Sequence, residues 1–254
     1  MAHRVLFITG AGSGMGQMTA RQALDDGWMV AGVDLNIDGL NQLGGSDKLL
    51  KIELDVTDYQ AVAAAVERCE NTLGPITRVI HAAGIMPLGE LINQPREMIM
   101  KIMTINYGGM VNVVDSAVKK LLERGQGEFV CYASMAGHWP IMYMGAYSAA
   151  KHAVAAFAEV LYHENRNSGV RIVCVCPPIV ATPLLKQAHD TVWPKLFDLF
   201  PALEPQVVLD SIEKALTRRH GLWVFPGPMT RLTWLLRRWC PSLLWKVVHW
   251  AEKK

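Results

Sequence analysis

The sequence has no CxxC pair. Its five cysteines, an odd number spread over 254 residues, cannot form the disulfide framework of a small secreted domain. They read as reduced thiols, and Cys174 and Cys176, on an expected strand, are expected to be buried on opposite sides of it. None of the eight histidines combines with a cysteine at zinc-ligand spacing, so no metal site is expected and the zinc-dependent alcohol dehydrogenase mechanism is set aside. An excess of charge is lacking too. Lys and Arg number 25 against 23 Asp and Glu, a net charge of +2, which excludes a protein whose main work is gripping nucleic acid. No Gly-x-Ser-x-Gly elbow marks a hydrolase. Only Val5 to Ile8 are strongly apolar before Thr9-Gly10, too few for a signal peptide, so a cytoplasmic chain is expected. The uncharged stretch 129–150 is long enough to span a bilayer. Gly137, His138, Pro140 and Gly145 interrupt it, and a buried strand running into a loop fits better than a spanning helix.

What is present is a core. Hydrophobic residues make up 51% and charged residues 19%, which excludes disorder and fibrous repeats. Apolar runs alternate with helix-length segments. Strands are expected at 5–9, 29–34, 49–55, 77–81, 128–134, 171–176 and 222–225, several of them apolar on both faces. Helices are expected at 14–26, 58–73, 96–124 (broken near Asn106-Tyr107-Gly108-Gly109), 147–167 and 204–217. Strands apolar on both faces belong to a parallel sheet covered by helices on each side. The expected fold is therefore α/β: a Rossmann-type, doubly wound parallel sheet of about seven strands in a single domain. That domain spans 1–230, with a substrate lid at 183–205 and a separate tail at 231–254.

Two constellations carry chemistry. Thr9-Gly10-Ala11-Gly12-Ser13-Gly14-Met15-Gly16 joins the first strand to the first helix. Glycines there allow a tight turn and close approach of a pyrophosphate to the helix N-terminus. Asp34 ends the second strand, near the ~20-residue offset of an acid that bonds the adenosine ribose. Its carboxylate would repel a 2′-phosphate, and Ser13, Leu35 and Asn36 offer no cation to hold one, so NAD is expected over NADP. The alternative role for Asp34 is a helix N-cap. The second constellation is Tyr147-Ser148-Ala149-Ala150-Lys151, with Ser134 at a strand end. Tyr147 and Lys151, four apart, share a helix face. A neighbouring ammonium and an oxidised nicotinamide ring would lower the phenol's pKa from ~10 toward that of a working base, while Ser134 bonds the substrate oxygen.

On these residues the chain resembles the short-chain dehydrogenase/reductase family over roughly residues 4 to 225. The resemblance implies cofactor contacts from Gly10, Ser13, Gly14, Met15, Gly16 and Asp34, and adenine contacts from Asp55 and Val56. It implies further contacts from Ala83 and Gly84, and from Pro177, Val180 and Thr182 around the nicotinamide. It also implies a catalytic set of Asn106, Ser134, Tyr147 and Lys151, the last two also touching the cofactor. Three positions depart from the family pattern: His81-Ala82 stands where many members have two asparagines, Pro178 replaces a glycine, and Ala133 replaces a frequent serine.

The expected lid holds Leu184, Leu185, Val192, Trp193, Leu196 and Phe197, with Leu185, Val192, Leu196 and Leu199 approximating one helical stripe. Facing it is a wall at 138–143 with Trp139, Ile141 and Met142. Apolar surroundings point to a lipophilic alcohol or ketone, such as a steroid, terpenoid or acyl compound. The expected function is an NAD(H)-dependent oxidoreductase interconverting a secondary alcohol and a ketone. The alternatives are a 3-oxoacyl-thioester reductase and a non-catalytic NAD(H)-sensing binding protein. The tail carries four of the eight tryptophans and six Lys/Arg against the single acid Glu252. Its two apolar stripes are separated by Pro241. Such helices suit a membrane surface or a second subunit, so peripheral membrane contact and a homodimer or homotetramer are both expected.

Overall fold

The computed structural model describes residues 4–253. Residues 1–3, part of the N-terminal region read above, and Lys254, the last basic residue of the tail, lie outside them. The chain runs β1 (Val5–Thr9), α1 (Gly14–Asp25), β2 (Met29–Asp34), α2 (Ile37–Asn41), β3 (Leu49–Glu53), α3 (Tyr59–Leu73) and β4 (Arg78–His81). A long helix then passes through α4 (Arg96–Met103), α5 (Gly109–Val113) and α6 (Lys119–Arg124), with π turns at Thr104–Gly108 and Val114–Val118 between them. There follow β5 (Gly127–Tyr132), α7 (Gly145–Glu164), β6 (Val170–Val175), α8 (Pro183–His189), α9 (Pro205–Leu216) and β7 (Trp223–Val224). Two last helices are α10 (Pro228–Trp239) and α11 (Pro241–Glu252).

All seven strands pair in parallel, in the order β3-β2-β1-β4-β5-β6-β7. The expected doubly wound sheet is present. Alternate residues of each strand serve opposite faces. Phe7, Val79 and Phe129 join the core beneath α3, the long helix and α7. Leu6, Ile80 and Val130 join the core beneath α1, α2 and α9. Burial on both faces is why these strands lack polar alternation.

The differences from the sequence reading are local. The five-residue helix α2 was not expected; Asn36 caps it by accepting from the Gly39 N–H at 3.1 Å. The lid residues Leu185, Val192, Leu196 and Leu199 do not form one stripe. Leu185 lies on α8, while Leu196 and Leu199 lie on a separate 3₁₀ turn, Lys195–Leu199, with Pro194 at its start ending any continuous helix. Cys174 and Cys176 lie in the same core, not on opposite sides, because side chains two residues apart on a strand share a face. The stretch 129–150 divides into the end of β5, a short 3₁₀ turn at Met135–Gly137 and the start of α7. Among the described residues no helix is long and apolar enough to cross a membrane.

One buried cation ties the middle of the sheet to α9. Arg78 on β4 pairs with Glu128 on β5 at 2.5 Å and with Glu213 on α9 at 2.6 Å, and its guanidinium lies 4.5 Å from the centroid of Trp28. Its side chain is 10% exposed, so removing it strands a partly buried carboxylate. Arg78→Met should destabilise the protein by about 2 to 4 kcal/mol, read from urea unfolding. A loss under about 0.5 kcal/mol would class the pair with ordinary surface ion pairs.

Candidate active site

The carboxyl ends of β1 and β4 diverge at the switch point of the sheet, where open α/β sheets place their ligands. A cavity of about 940 Å³ opens there. Every residue singled out in the sequence as catalytic or cofactor-binding lines it, from Gly10 in the first turn to Thr182 at the start of α8.

One end of the cavity is built from backbone. Gly10 has φ +73°, and a Cβ there would come within 2.7 Å of the backbone of Ala82 and Ala83. A Cβ on Gly16 would lie 2.1 Å from the Gly10 carbonyl oxygen. The turn is closed on itself so tightly that side chains do not fit. The helix that follows has no acid in its first turn, and the side chain of its N-cap, Ser13, makes no capping bond. Its first N–H groups and positive dipole end therefore suit an anion. Asp34 closes this end, accepting from the Gly12 N–H at 2.8 Å and from the Asn36 N–H at 2.9 Å. It does not cap α2, whose cap is Asn36. Asp55 accepts from the Thr57 N–H at 2.9 Å, and Val56 packs against Gly109. Across the cleft, Thr182 and Pro183 face Gly14, whose added Cβ would stand 3.7 Å from the Thr182 Cβ. Val180 is held by a parallel bridge to Leu203. The loop before it is fixed by the Met135 N–H donating to the Pro177 carbonyl at 2.9 Å. These residues fit the pyrophosphate and adenosine of a dinucleotide.

The other end holds the polar side chains. Ser134 follows β5; its hydroxyl accepts from the Ala136 N–H at 3.1 Å and acts on the Tyr147 phenol of α7. Burial pushes that phenol up to about 12, and the Ser134 hydroxyl pulls it the other way. One turn later, Lys151 donates to the Tyr132 carbonyl at 2.6 Å, with its Nζ 5.7 Å from the centroid of the Tyr147 ring. Burial brings this ammonium down to about 8. Asn106 is fully buried in the first π turn. Its amide accepts from the Ile85 N–H and donates to the Ile85 carbonyl, both at 2.9 Å. That doubled bond fixes Asn106 beside Gly84, where a Cβ would meet its Oδ1 at 2.4 Å and would lie 3.9 Å from the Lys151 Nζ. The break expected near Asn106 is thus a π turn, a common device for re-aiming a helical side chain.

Around this pair the cavity turns apolar, lined by Trp139, Ile141, Met144, Leu184, Phe197 and Phe200. The lid is braced. Gln187 accepts from the Met86 N–H at 2.9 Å, Thr191 from the Leu88 N–H at 3.0 Å, and Glu252 of α11 from the Leu196 N–H at 3.2 Å. The sequence reading missed one wall: Gly227, Pro228, Met229, Thr230 and Thr233 at the start of α10 also line the cavity. The available signal was an inverted pattern, threonines at i and i+3 turned inward while leucines face out.

The Rossmann-type sheet thus carries a glycine turn over its switch point and a Tyr–Lys pair in the same cleft. The family model described as short chain dehydrogenase matches residues 4–193, and the chain belongs to that family. It is 30% identical over 224 residues to glycine betaine reductase ATRR of Emericella nidulans, covering 85% of this chain but 18% of that protein. It is also 30% identical over 189 residues to the probable oxidoreductase EphD of Mycobacterium tuberculosis, covering 70% of this chain and 31% of that one. The chain thus spans under a third of these relatives' lengths. Estradiol 17-beta-dehydrogenase 11 of Rattus norvegicus is 24% identical over 245 residues, 93% of this chain and 80% of that protein. Among solved structures, a short chain dehydrogenase/reductase from Burkholderia phymatum in complex with NAD superimposes with a TM-score of 0.84 at 23% identity, covering 95% of each chain. A short chain dehydrogenase from Burkholderia cenocepacia J2315 in complex with NADP gives 0.82 at 22% identity, covering 97% of each. At these identities the structures show the shared fold.

His81, which departs from the family pattern, lies behind the site. It is 2% exposed, and its Nδ1 is 2.9 Å from the Thr9 hydroxyl. Burial, and then the neighbouring Lys151, lower it from 6.5 to about 3; burial likewise takes His138 to about 4. Below its unfolded value each imidazole gains a proton in the unfolded chain but not in the folded one. Stability therefore falls as pH drops between about 6 and 4, by about 1.4 kcal/mol per pH unit for each group. His81→Asn should remove one such share from the slope of unfolding free energy against pH. An unchanged slope would contradict it.

Proposed function

We propose that this chain is an NAD(H)-dependent dehydrogenase/ketoreductase that interconverts a secondary alcohol and a ketone on a lipophilic substrate. One observation carries the reading: a single cavity is lined by the glycine turn and Asp34, by Tyr147, Ser134 and Lys151, and by apolar side chains of the lid. Gly10, Gly14 and Gly16 with the start of α1 would hold the pyrophosphate, and Asp34 the adenosine ribose. Pro177, Val180 and Thr182 would flank the nicotinamide. Asp34 supports NAD: its oxygens accept from two backbone N–H groups, and the adjacent Ser13, Leu35 and Asn36 supply no cation for a 2′-phosphate.

The bound cofactor supplies a hydride acceptor or donor. The protein's residues handle the proton. Ser134 donates a hydrogen bond to the substrate oxygen and holds it against Tyr147. In the oxidation direction Tyr147 accepts the proton from the alcohol hydroxyl; in reduction it returns one to the carbonyl oxygen. Lys151 lowers the cost of the phenolate, opposing the burial that raises it, and Asn106 keeps the backbone at Ile85 and Gly84 in place beside that lysine. The apolar chamber excludes water and supports a bulky hydrocarbon substrate.

The direct test is a panel of hydrophobic secondary alcohols and ketones offered with NAD and NADP, following the absorbance of reduced nicotinamide. Tyr147→Phe should cut turnover by roughly a hundredfold or more while leaving cofactor binding intact; near-normal activity would refute the role. Asp34→Ala combined with Leu35→Arg should move preference toward NADP, and equal wild-type efficiency with both cofactors would count against the assignment to NAD.

A further inference from the structure

The helix that completes the cavity wall has a second face that nothing in the structure covers. On α10 the inward residues are Thr230, which is buried, and Trp234, which packs on Phe225 with ring centroids 5.2 Å apart. The opposite side is apolar. Met229, Leu232, Leu235, Leu236 and Trp239 are 59%, 46%, 38%, 37% and 78% exposed, and their spacing puts them in one stripe along the helix. Leu243 at the start of α11 is 52% exposed. By contrast Val248 and Ala251 of α11 are buried against the lid and Leu244 is buried as well, so the two helices are anchored on their own subunit by faces other than this one.

Two further features say what this stripe fits. The first is charge. Arg231 and Arg238, both exposed, occupy the helical positions beside the stripe, Arg238 lying over Trp234 at 5.9 Å. Lys246 of α11 is exposed as well. The single acid of the two helices, Glu252, is turned away to accept from the Leu196 N–H. An apolar stripe bordered by cations and free of acids matches an anionic lipid surface. The second is position. Met229, at one end of the stripe, also lines the cavity, as does the lid residue Phe200, itself 41% exposed. The mouth of the cavity is therefore continuous with the stripe.

We propose that the outer face of α10, continued by Leu243, docks on an anionic bilayer and presents the cavity mouth to it, so that a membrane-dissolved substrate enters without crossing water. The docking stands on the surface alone; the delivery of substrate rests on the function proposed above.

Truncating the tail would also remove the cavity wall and the brace on the lid, so point substitutions outside the cavity are the sharper probe. The full chain should sediment with phosphatidylcholine vesicles containing phosphatidylserine, bind phosphatidylcholine alone more weakly, and release as salt rises. Leu236→Asp with Trp239→Ser should lower partitioning roughly tenfold or more. Arg231→Gln with Arg238→Gln should lower it several-fold, on serine-containing vesicles only. An unchanged melting temperature and sedimentation mass would show that both variants are folded and assembled as before. The proposal is overturned if the wild type fails to bind vesicles at low salt, or if both variants bind as the wild type does. It is equally overturned if the substitutions change the sedimentation mass, which would make the stripe a contact between subunits. The vesicle readout needs no turnover, so docking without activity on lipophilic alcohols would sink the function reading and leave this one standing.

Discussion

Because β1 pairs with β2 on one side and with β4 on the other, the connections leaving β1 and β4 depart toward opposite edges of the sheet. The space above their carboxyl ends is left without a covering helix. Every polar group of the site is disposed around that gap. The glycine turn and α1 rise from β1, and the Gly84 loop rises from β4. Ser134 follows β5, the next strand out, and Pro177 follows β6. Thr9 stitches the gap at its base, with its hydroxyl 2.9 Å from His81 and accepting from the Ala83 N–H at 3.4 Å. Residues more than seventy positions apart are thereby held in the register the site needs.

The same geometry explains why the ionisable groups sit so far from their ordinary values. Tyr147 and Lys151 are buried on the inner face of α7, and both shifts favour the neutral form: the phenol rises to about 12 and the ammonium falls to about 8. Burial thus works against charge on either group. A cationic nicotinamide held as proposed above would favour the phenolate, though as a like charge it would oppose the ammonium.

Much of this was legible in the sequence for one reason. A strand buried on both faces, such as Val5–Thr9, shows as an unbroken apolar run, and a turn that excludes side chains shows as Gly10, Gly14 and Gly16. The spacing of Tyr147 and Lys151 survives unchanged because a helix fixes it. What was illegible depends on contacts distant in sequence. The wall formed by Thr230 and Thr233 exists only because α10 folds back over the cavity, and its inward face is the polar one. The lid's two-part path was hidden because apolar residues at near-helical spacing look alike whether or not Pro194 interrupts them. The displaced pKa values follow from depth of burial, which no local pattern reports.

The bracing of the lid has a kinetic side. Gln187 and Thr191 of the lid accept backbone N–H groups from the loop after β4, at Met86 and Leu88, and Glu252 of α11 accepts one from Leu196 of the lid, so the lid is held by two other segments of the chain. At about 1 kcal/mol for each net hydrogen bond, releasing all three costs about 3 kcal/mol. That leaves the released arrangement on the order of one molecule in a hundred. Passage of a bulky molecule through the lid side would wait on that minority.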